Sequence, residues 1–300
     1  MISIQSLLGA AEQGLIYSLV AMGLYISYRV LEVADLTTDG SFTLGAACSA
    51  CLATTGNPLL GLLMAFVGGV LAGAVTAFLQ TVCKIQPILA GIITMTGLYS
   101  INLMVMGNRQ NLPLLKNSTL FTMVEEILGK QMGGLVAAGA AALLVAGFLV
   151  WFLSTQLGLM VRAAGNNPTM LVTCAVSPAI GVVTGLCLAN GIIALSGGLL
   201  AQQQKFSDSN LGTGMVVVGL ASLIIGETIV GKGKTFRSVV GILVGSVVYR
   251  IIIALALRSN LGASNLKLVS AVIVAIAISL PAIRSAWEVH KRKKEAAAGA

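Results

Sequence analysis

The run PLLGLLMAFVGGVLAGAVTAFLQTV, residues 58–82, contains no charged side chain. A helix needs about 20 consecutive apolar residues to cross the ~30 Å hydrocarbon core of a bilayer, and this run is long enough. It is continuously apolar, without the two-residue alternation of a transmembrane β-strand. The run therefore predicts a membrane-spanning helix.

The composition of the whole chain agrees with a membrane protein. Hydrophobic residues make up 57% of the 300 residues and charged residues only 9%, whereas a soluble domain carries about 25% charged residues. The mean hydropathy is +0.96. We expect an all-α polytopic membrane protein that forms one transmembrane domain over residues 1–300.

Apolar segments of this kind recur along the chain, and no loop between them is long enough to hold a soluble domain. Their lengths predict about nine transmembrane segments. They cover residues 8–28, 40–55, 58–82, 87–106, 133–153, 178–200, 214–230, 238–257 and 267–283.

Two of the predicted segments, 40–55 and 214–230, are short, and each follows a polar, helix-breaking stretch. The two stretches, 35–41 and 207–214, each come after a long helix rich in Gly and Ala. An odd number of spans separates the two copies, so they would have opposite orientations. Broken helices at matching places in inverted halves mark the substrate route of many transporters. The pattern predicts two inverted, broken-helix repeats.

The first break and the residue that follows it supply the candidate substrate-pathway residues, Thr37, Thr38, Asp39, Ser41 and Phe42. Backbone groups freed by a broken helix must line protein or a wet cavity. A helix that begins here would be capped by Asp or Ser, and its positive dipole end can face a polar solute. The alternative is a cytoplasmic loop with a good N-cap.

Three ionisable residues, Glu12, Glu227 and Arg250, fall within apolar segments. Such residues are costly in a membrane and are candidates for function. Structural pairing, for example of Glu227 with Lys232, is the other interpretation of all three.

Positive charge is concentrated at the C-terminal end, where His290-Lys291-Arg292-Lys293-Lys294 follows an apolar segment. This pattern is typical of a cytoplasmic tail, here residues 285–300, and not of a nucleic-acid-binding protein. With the tail inside and alternating spans, most of the 18 Lys and Arg residues face the cytoplasm. We therefore expect the N-terminus outside and the C-terminus inside.

The run Gly226–Gly233 nearly matches a phosphate-binding loop, but Gly233 occupies the position of the hydroxyl residue that binds Mg²⁺. The single histidine and the five cysteines, most of them in or beside apolar segments, offer no metal-ligand set. We expect no catalytic site, no cofactor and no metal in this chain. If ATP drives transport, its hydrolysis belongs to a separate subunit.

The segment between the fifth and sixth predicted spans has a polar centre flanked by apolar residues. This pattern predicts a short amphipathic helix over residues 158–170 at the cytoplasmic face. A helix of this kind can dock into a groove of a soluble partner. An interfacial helix without a special role is the alternative.

Five stretches, 14–24, 28–30, 39–46, 162–168 and 218–227, resemble in order the branched-chain amino acid and ribose-type family of ABC permeases. Leu36–Phe42 and the Gly107–Arg109 loop are most similar to the tryptophan/tyrosine-type group of that family. The resemblance implies the permease subunit of an ATP-driven importer in a bacterial inner membrane, with an amino acid or a related small solute as its cargo.

The same resemblance implies partners that the residues alone do not. They are cytoplasmic ATPase subunits, a second permease subunit (another copy of this chain or a paralogue) and an extracytoplasmic binding protein, with membrane lipid around the assembly. It also implies that the ATPase is coupled through Arg162, Ala163, Gly165, Asn166, Asn167 and Pro168. From the residues alone, an ion-coupled secondary transporter that uses Asp39 or Glu227 is an equal alternative, and a membrane scaffold or channel is a third.

Overall fold

Helices dominate the computed structural model, which describes residues 4–115, 117–129, 132–231, 233, 235–258, 272, 275 and 279. Over these residues the helices are α1 Ile4–Leu24, α2 Thr38–Thr54, α3 Pro58–Thr81, α4 Pro87–Val105, α5 Leu120–Leu128, α6 Gly133–Ser154, α7 Gln156–Asn166, α8 Pro168–Thr173, α9 Pro178–Gln204, α10 Met215–Val230 and α11 Thr235–Arg258. A π-helical stretch, Tyr25–Val30, continues α1. Two short strands, β1 Asn111–Pro113 and β2 Phe206–Asp208, pair antiparallel.

Six of the described helices are long and apolar enough to span a membrane: α1 with its π-helical end, α3, α4, α6, α9 and α11. The apolar helix α10 is shorter, with 16 residues. The predicted all-α membrane fold is confirmed, with six to seven apolar helices in the described residues. The predicted segment 40–55 corresponds to the 17-residue helix α2. Apart from isolated positions, segment 267–283 lies outside the described residues, as does the tail 285–300, so nine spans stay a prediction.

The ends of several helices follow directly from local sequence. Proline occupies the first turn of α3, α4 and α9, as Pro58, Pro87 and Pro178. Its fixed φ suits a helix start, where its missing N–H costs nothing. Gly129 and Gly231 end α5 and α10 at φ values of 85° and 86°, a region that glycine adopts without steric penalty.

Helices α1 and α9 form the centre of the bundle. In each, 61% of the residues in the membrane-spanning window are buried, against 28% in α4. Glycines let the neighbouring backbones approach closely, because a Cβ at Gly45 of α2 would overlap the Ala194 carbonyl of α9. A Cβ at Gly73 of α3 would likewise overlap the Leu186 carbonyl. Close packing of small residues holds helices together where lipid removes the hydrophobic driving force.

The structure corrects the prediction of one helix over residues 158–170. Two helices, α7 and α8, cover this segment and meet at Asn167. Asn167 has φ −155° and ψ 81°, which is extended backbone, because the residue before a proline is disfavoured in the helical region. Pro168 then begins α8, and the Asn167 side chain accepts a hydrogen bond from the Met170 N–H at 3.1 Å.

We predict that Gly45→Ala destabilises the protein, because the new methyl group has no space between α2 and α9. Overpacking a well-packed interior costs about 1–3 kcal/mol. The measurement is the thermal unfolding midpoint of purified protein in detergent or nanodiscs. The matched control is Gly147→Ala in α6, where an added Cβ meets no atom within 4 Å. Equal midpoints for the two variants would contradict the packing described here.

Candidate functional site

A buried polar network fills the break between α1 and α2. Asp35 is fully buried, and its carboxylate accepts hydrogen bonds from the Thr37 N–H at 2.9 Å and from the Asn190 side chain at 2.7 Å. Asn190 in turn accepts a hydrogen bond from the Ser41 hydroxyl at 2.7 Å. The network therefore ties the break and the first turn of α2 to the middle of α9.

Four of the predicted pathway residues, Thr37, Thr38, Ser41 and Phe42, are fully buried within the protomer. The Thr37 and Thr76 hydroxyls are 2.8 Å apart, which connects the break to α3. The Thr38 hydroxyl donates to the Asp35 carbonyl at 3.2 Å. In this conformation the threonine hydroxyls therefore stabilise the break itself and join it to α3.

The fifth predicted residue, Asp39, caps a different helix from the one expected. Its carboxylate accepts hydrogen bonds from the backbone N–H groups of Gly214 at 2.8 Å and Val216 at 3.1 Å, at the start of α10. The sequence predicted a cap on Asp39's own helix, but α2 begins at Thr38 and its N-cap residue makes no side-chain capping bond. A negative charge at the N-terminus of α10 is favourable because it meets the positive end of the helix dipole.

Thr43, one turn further along α2, reinforces this contact. Its hydroxyl accepts a hydrogen bond from the Gly212 N–H at 3.0 Å and donates to the Asp39 carbonyl at 3.0 Å. The breaks before α2 and α10, more than 170 residues apart in the chain, are thus in direct contact. We call the contacts of Asp39 and Thr43 with Gly212, Gly214 and Val216 the break-to-break clasp.

The ionisable residues in apolar segments have structural partners. Glu227 in α10 forms an ion pair with Arg29 at the end of α1, with 3.0 Å between Nε and Oε1. The sequence had suggested Lys232, which lies outside the described residues. Arg250 donates to the Gln13 side chain at 2.6 Å and lies 4.6 Å from the centre of the Tyr17 ring. The Glu12 carboxylate lies near the side chain of Gln203.

The predicted coupling residues lie on α7 and at its junction with α8. Gly165 packs so closely on the end of α1 that a Cβ would overlap the Val30 carbonyl. Arg162 is half-buried, and its guanidinium donates to the Thr235 hydroxyl at the start of α11 at 2.6 Å. Ala163 is also half-buried. These residues face the bundle.

The junction itself faces outward. Asn166, Asn167 and Pro168 are exposed, as is Met170 just beyond them. The junction therefore presents two amide side chains and a methionine on a backbone that Gly165 and Arg162 hold against the bundle. We call residues 166–170 the α7–α8 corner.

Sequence reasoning missed three members of the polar network: Asp35, Thr76 and Asn190. One signal was available, since Asn190 is an amide in the middle of the apolar segment 178–200. A buried amide in such a helix needs hydrogen-bond partners from neighbouring helices. The identity of those partners depends on the tertiary packing.

Comparison with known proteins identifies the family. Residues 6–280 match the family described as branched-chain amino acid transport system, permease component. A tyrosine transport system permease protein of Clostridioides difficile (strain R20291) is 37% identical over 269 residues, 89% of this chain and 88% of that protein. Uncharacterized protein RP368 of Rickettsia prowazekii (strain Madrid E) is 32% identical over 277 residues, 91% and 96% of the two chains. No solved structure matches this chain.

The family match covers both breaks, the α7–α8 corner and all of the apolar helices in the described residues. The chain belongs to the permease family of branched-chain amino acid transport systems.

Proposed function

We propose that this chain forms the substrate pathway of an ATP-binding-cassette importer for an amino acid or a related small solute. The family match over residues 6–280 carries the proposal. The family makes the chain the permease component of a branched-chain amino acid-type transport system. The C. difficile relative named as a tyrosine transport permease favours an amino acid with an aromatic side chain as cargo.

Separate ATPase subunits hydrolyse ATP in this proposal, and an extracytoplasmic binding protein delivers the solute. Two permease copies form the pathway between them in the bacterial inner membrane. The N-terminus lies outside and the C-terminus in the cytoplasm, as the distribution of Lys and Arg favours.

Nine spans with two inverted repeats belong to the same proposal, and the helix contacts support it. Helix α2 meets α3 where Gly61 lies against Ser49, and α10 meets α11 where Gly226 lies against Gly241. Helix α3 packs on α9 at Gly69 and Gly73, and α11 packs on α1 at Gly14. The set α1, α2 and α3 thus makes contacts that correspond to those of α9, α10 and α11.

In this proposal the substrate pathway passes the contact between the two repeats. The pathway residues there are Thr37, Thr38, Asp39, Ser41 and Phe42. The conformation described here holds the breaks together through the break-to-break clasp. Transport requires the site to face each side of the membrane in turn, which means that contacts between the repeats must change. Release of the clasp would free the N-terminal N–H groups of α10 for a polar solute.

The coupling site comprises the α7–α8 corner and the residues that support it, Arg162, Ala163 and Gly165. Exposed amides and a methionine suit docking into a groove on a soluble partner. Because Gly165 packs on the end of α1 and Arg162 on the start of α11, a movement of the corner would be transmitted to both helices.

We predict that the tagged protein, isolated from its native membrane in mild detergent, carries a stoichiometric soluble ATPase. The measurement is mass spectrometry of the co-purified subunits, repeated in lipid nanodiscs to exclude loss in detergent. A preparation without an ATPase that still supports uptake driven by an ion gradient would favour the secondary-transporter alternative.

We predict that Asp39→Leu lowers uptake strongly while the ATPase still assembles. The substitution leaves the half-buried N–H groups of Gly214 and Val216, at the start of α10, without their acceptor, and a hydrogen bond to a charged group contributes about 1.5–3 kcal/mol. Uptake is measured in proteoliposomes with the ATPase and the binding protein. Asp39→Asn, which keeps one acceptor oxygen, should retain more uptake than Asp39→Leu. Full uptake by Asp39→Leu would refute the pathway assignment.

We predict that Arg162→Glu abolishes solute-stimulated ATP hydrolysis while the protein still inserts and folds. The guanidinium that donates to Thr235 is replaced by a shorter side chain of opposite charge, which removes this hydrogen bond and reverses the charge where α7 meets α11. The control is Lys84→Glu, which reverses a charge at an exposed position in the turn between α3 and α4. Normal stimulation in Arg162→Glu, or equal loss in both variants, would contradict the coupling role.

A further inference from the structure

A cavity of about 500 Å³ lies where the end of α1, the end of α6, α7 and the start of α11 meet. It is separate from the break-to-break clasp and borders the α7–α8 corner, with which it shares Asn166. The polar and aromatic residues that line it include Arg29, Ser154, Arg162, Asn166, Thr235 and Phe236.

The lining of this cavity is positively charged. Arg29 and Arg162 both contribute to it, and none of its described lining residues is Asp or Glu. The Arg29 side chain is paired with Glu227 yet remains 45% exposed. Arg162 donates to Thr235 within the described residues, and a guanidinium carries five N–H donors. Both arginines therefore have donor capacity left for an anion.

The start of α11 adds backbone donors to the same place. Thr235 and Phe236, the first two residues of α11, line the cavity. The first N–H groups of a helix have no partner within the helix, and together with the dipole they favour a phosphate or another anion. Gly233, which also lines the cavity, is flanked in sequence by Lys232 and Lys234.

The surroundings of the cavity suit an amphiphile. It lies between two membrane-spanning helices, at the C-terminal end of α6 and the N-terminal end of α11. Trp151 of α6 and Phe236 of α11 are 62% and 68% exposed. Aromatic side chains at the ends of spans favour the level of the lipid headgroups, so a headgroup can enter the cavity from the bilayer.

We propose that this cavity binds a phosphate group, supplied by the headgroup of an anionic phospholipid. Its phosphate oxygens accept hydrogen bonds from Arg29, Arg162 and the first N–H groups of α11, while its acyl chains lie along the exposed apolar side chains of α6 and α11. Basic pockets between spans on the cytoplasmic side are suited to such headgroups. The bound lipid bridges α7 and α11, beside the hydrogen bond from Arg162 to Thr235.

The test uses the full-length protein with Trp287→Phe, which leaves Trp151 as the single tryptophan, since the chain has two. The protein is reconstituted into vesicles that contain either brominated phosphatidylglycerol or brominated phosphatidylcholine, each of which quenches Trp151 fluorescence. The ratio of the quenching by the two lipids gives their relative binding constant. We expect phosphatidylglycerol to be preferred about fivefold for each contributing arginine. Arg162→Gln should reduce this preference about fivefold, whereas Lys84→Gln, which removes a charge elsewhere, should leave it unchanged.

A second measurement separates a lipid headgroup from a free ion. The thermal unfolding midpoint is recorded in phosphatidylcholine nanodiscs with and without millimolar inorganic phosphate. Suppose that phosphate raises the unfolding midpoint of the parent protein but not of Arg162→Gln, and that the quenching shows no lipid preference. This result would support the phosphate site but overturn its assignment to phospholipid. No lipid preference and no rise would overturn the site altogether. Neither readout needs the ATPase, so failure here is distinct from failure of the proposed transport function.

Discussion

Backbone groups at a broken helix must find partners inside the protein, because hydrocarbon offers none. This constraint explains the polar residues at the two breaks. Asp35 satisfies the Thr37 N–H in the first break, and Asp39 satisfies Gly214 and Val216 in the second. Both carboxylates belong to the first break in sequence, yet that of Asp39 accepts hydrogen bonds from the backbone at the second break. The start of α10 therefore depends on a carboxylate carried by α2.

Glycine packing makes these polar contacts possible. Asn190 can reach Asp35 and Ser41 because α2, α3 and α9 lie backbone to backbone at Gly45, Gly69 and Gly73. Larger side chains at these positions would separate the helices and leave buried hydrogen-bonding groups unpaired, at about 1–3 kcal/mol each. The apolar packing and the polar network thus stabilise the same arrangement.

The end of α1 connects the proposed coupling site to the breaks. Gly165 of α7 packs on Val30 and Leu31, a few residues before Asp35, and Arg29 pairs with Glu227 near the end of α10. A displacement of the α7–α8 corner would therefore act on both short helices over a short distance. In the proposed importer, this contact would let ATPase closure alter the break-to-break clasp. The proposed phosphate site lies beside the same contact.

The sequence by itself determined the membrane class and the position of most helices, because lipid demands long apolar runs and proline and glycine set helix ends locally. It also located both polar breaks and, by resemblance, the transport family. Only the tertiary structure decided that Asp39 caps α10, that Glu227 pairs with Arg29, and that Asn167 divides α7 from α8. The first two contacts join residues about 175 and 198 positions apart, and such pairings depend on helix packing, which no local pattern encodes. The division at Asn167 does follow from the local sequence Asn167-Pro168, but the flanking apolar residues suggested a single helix.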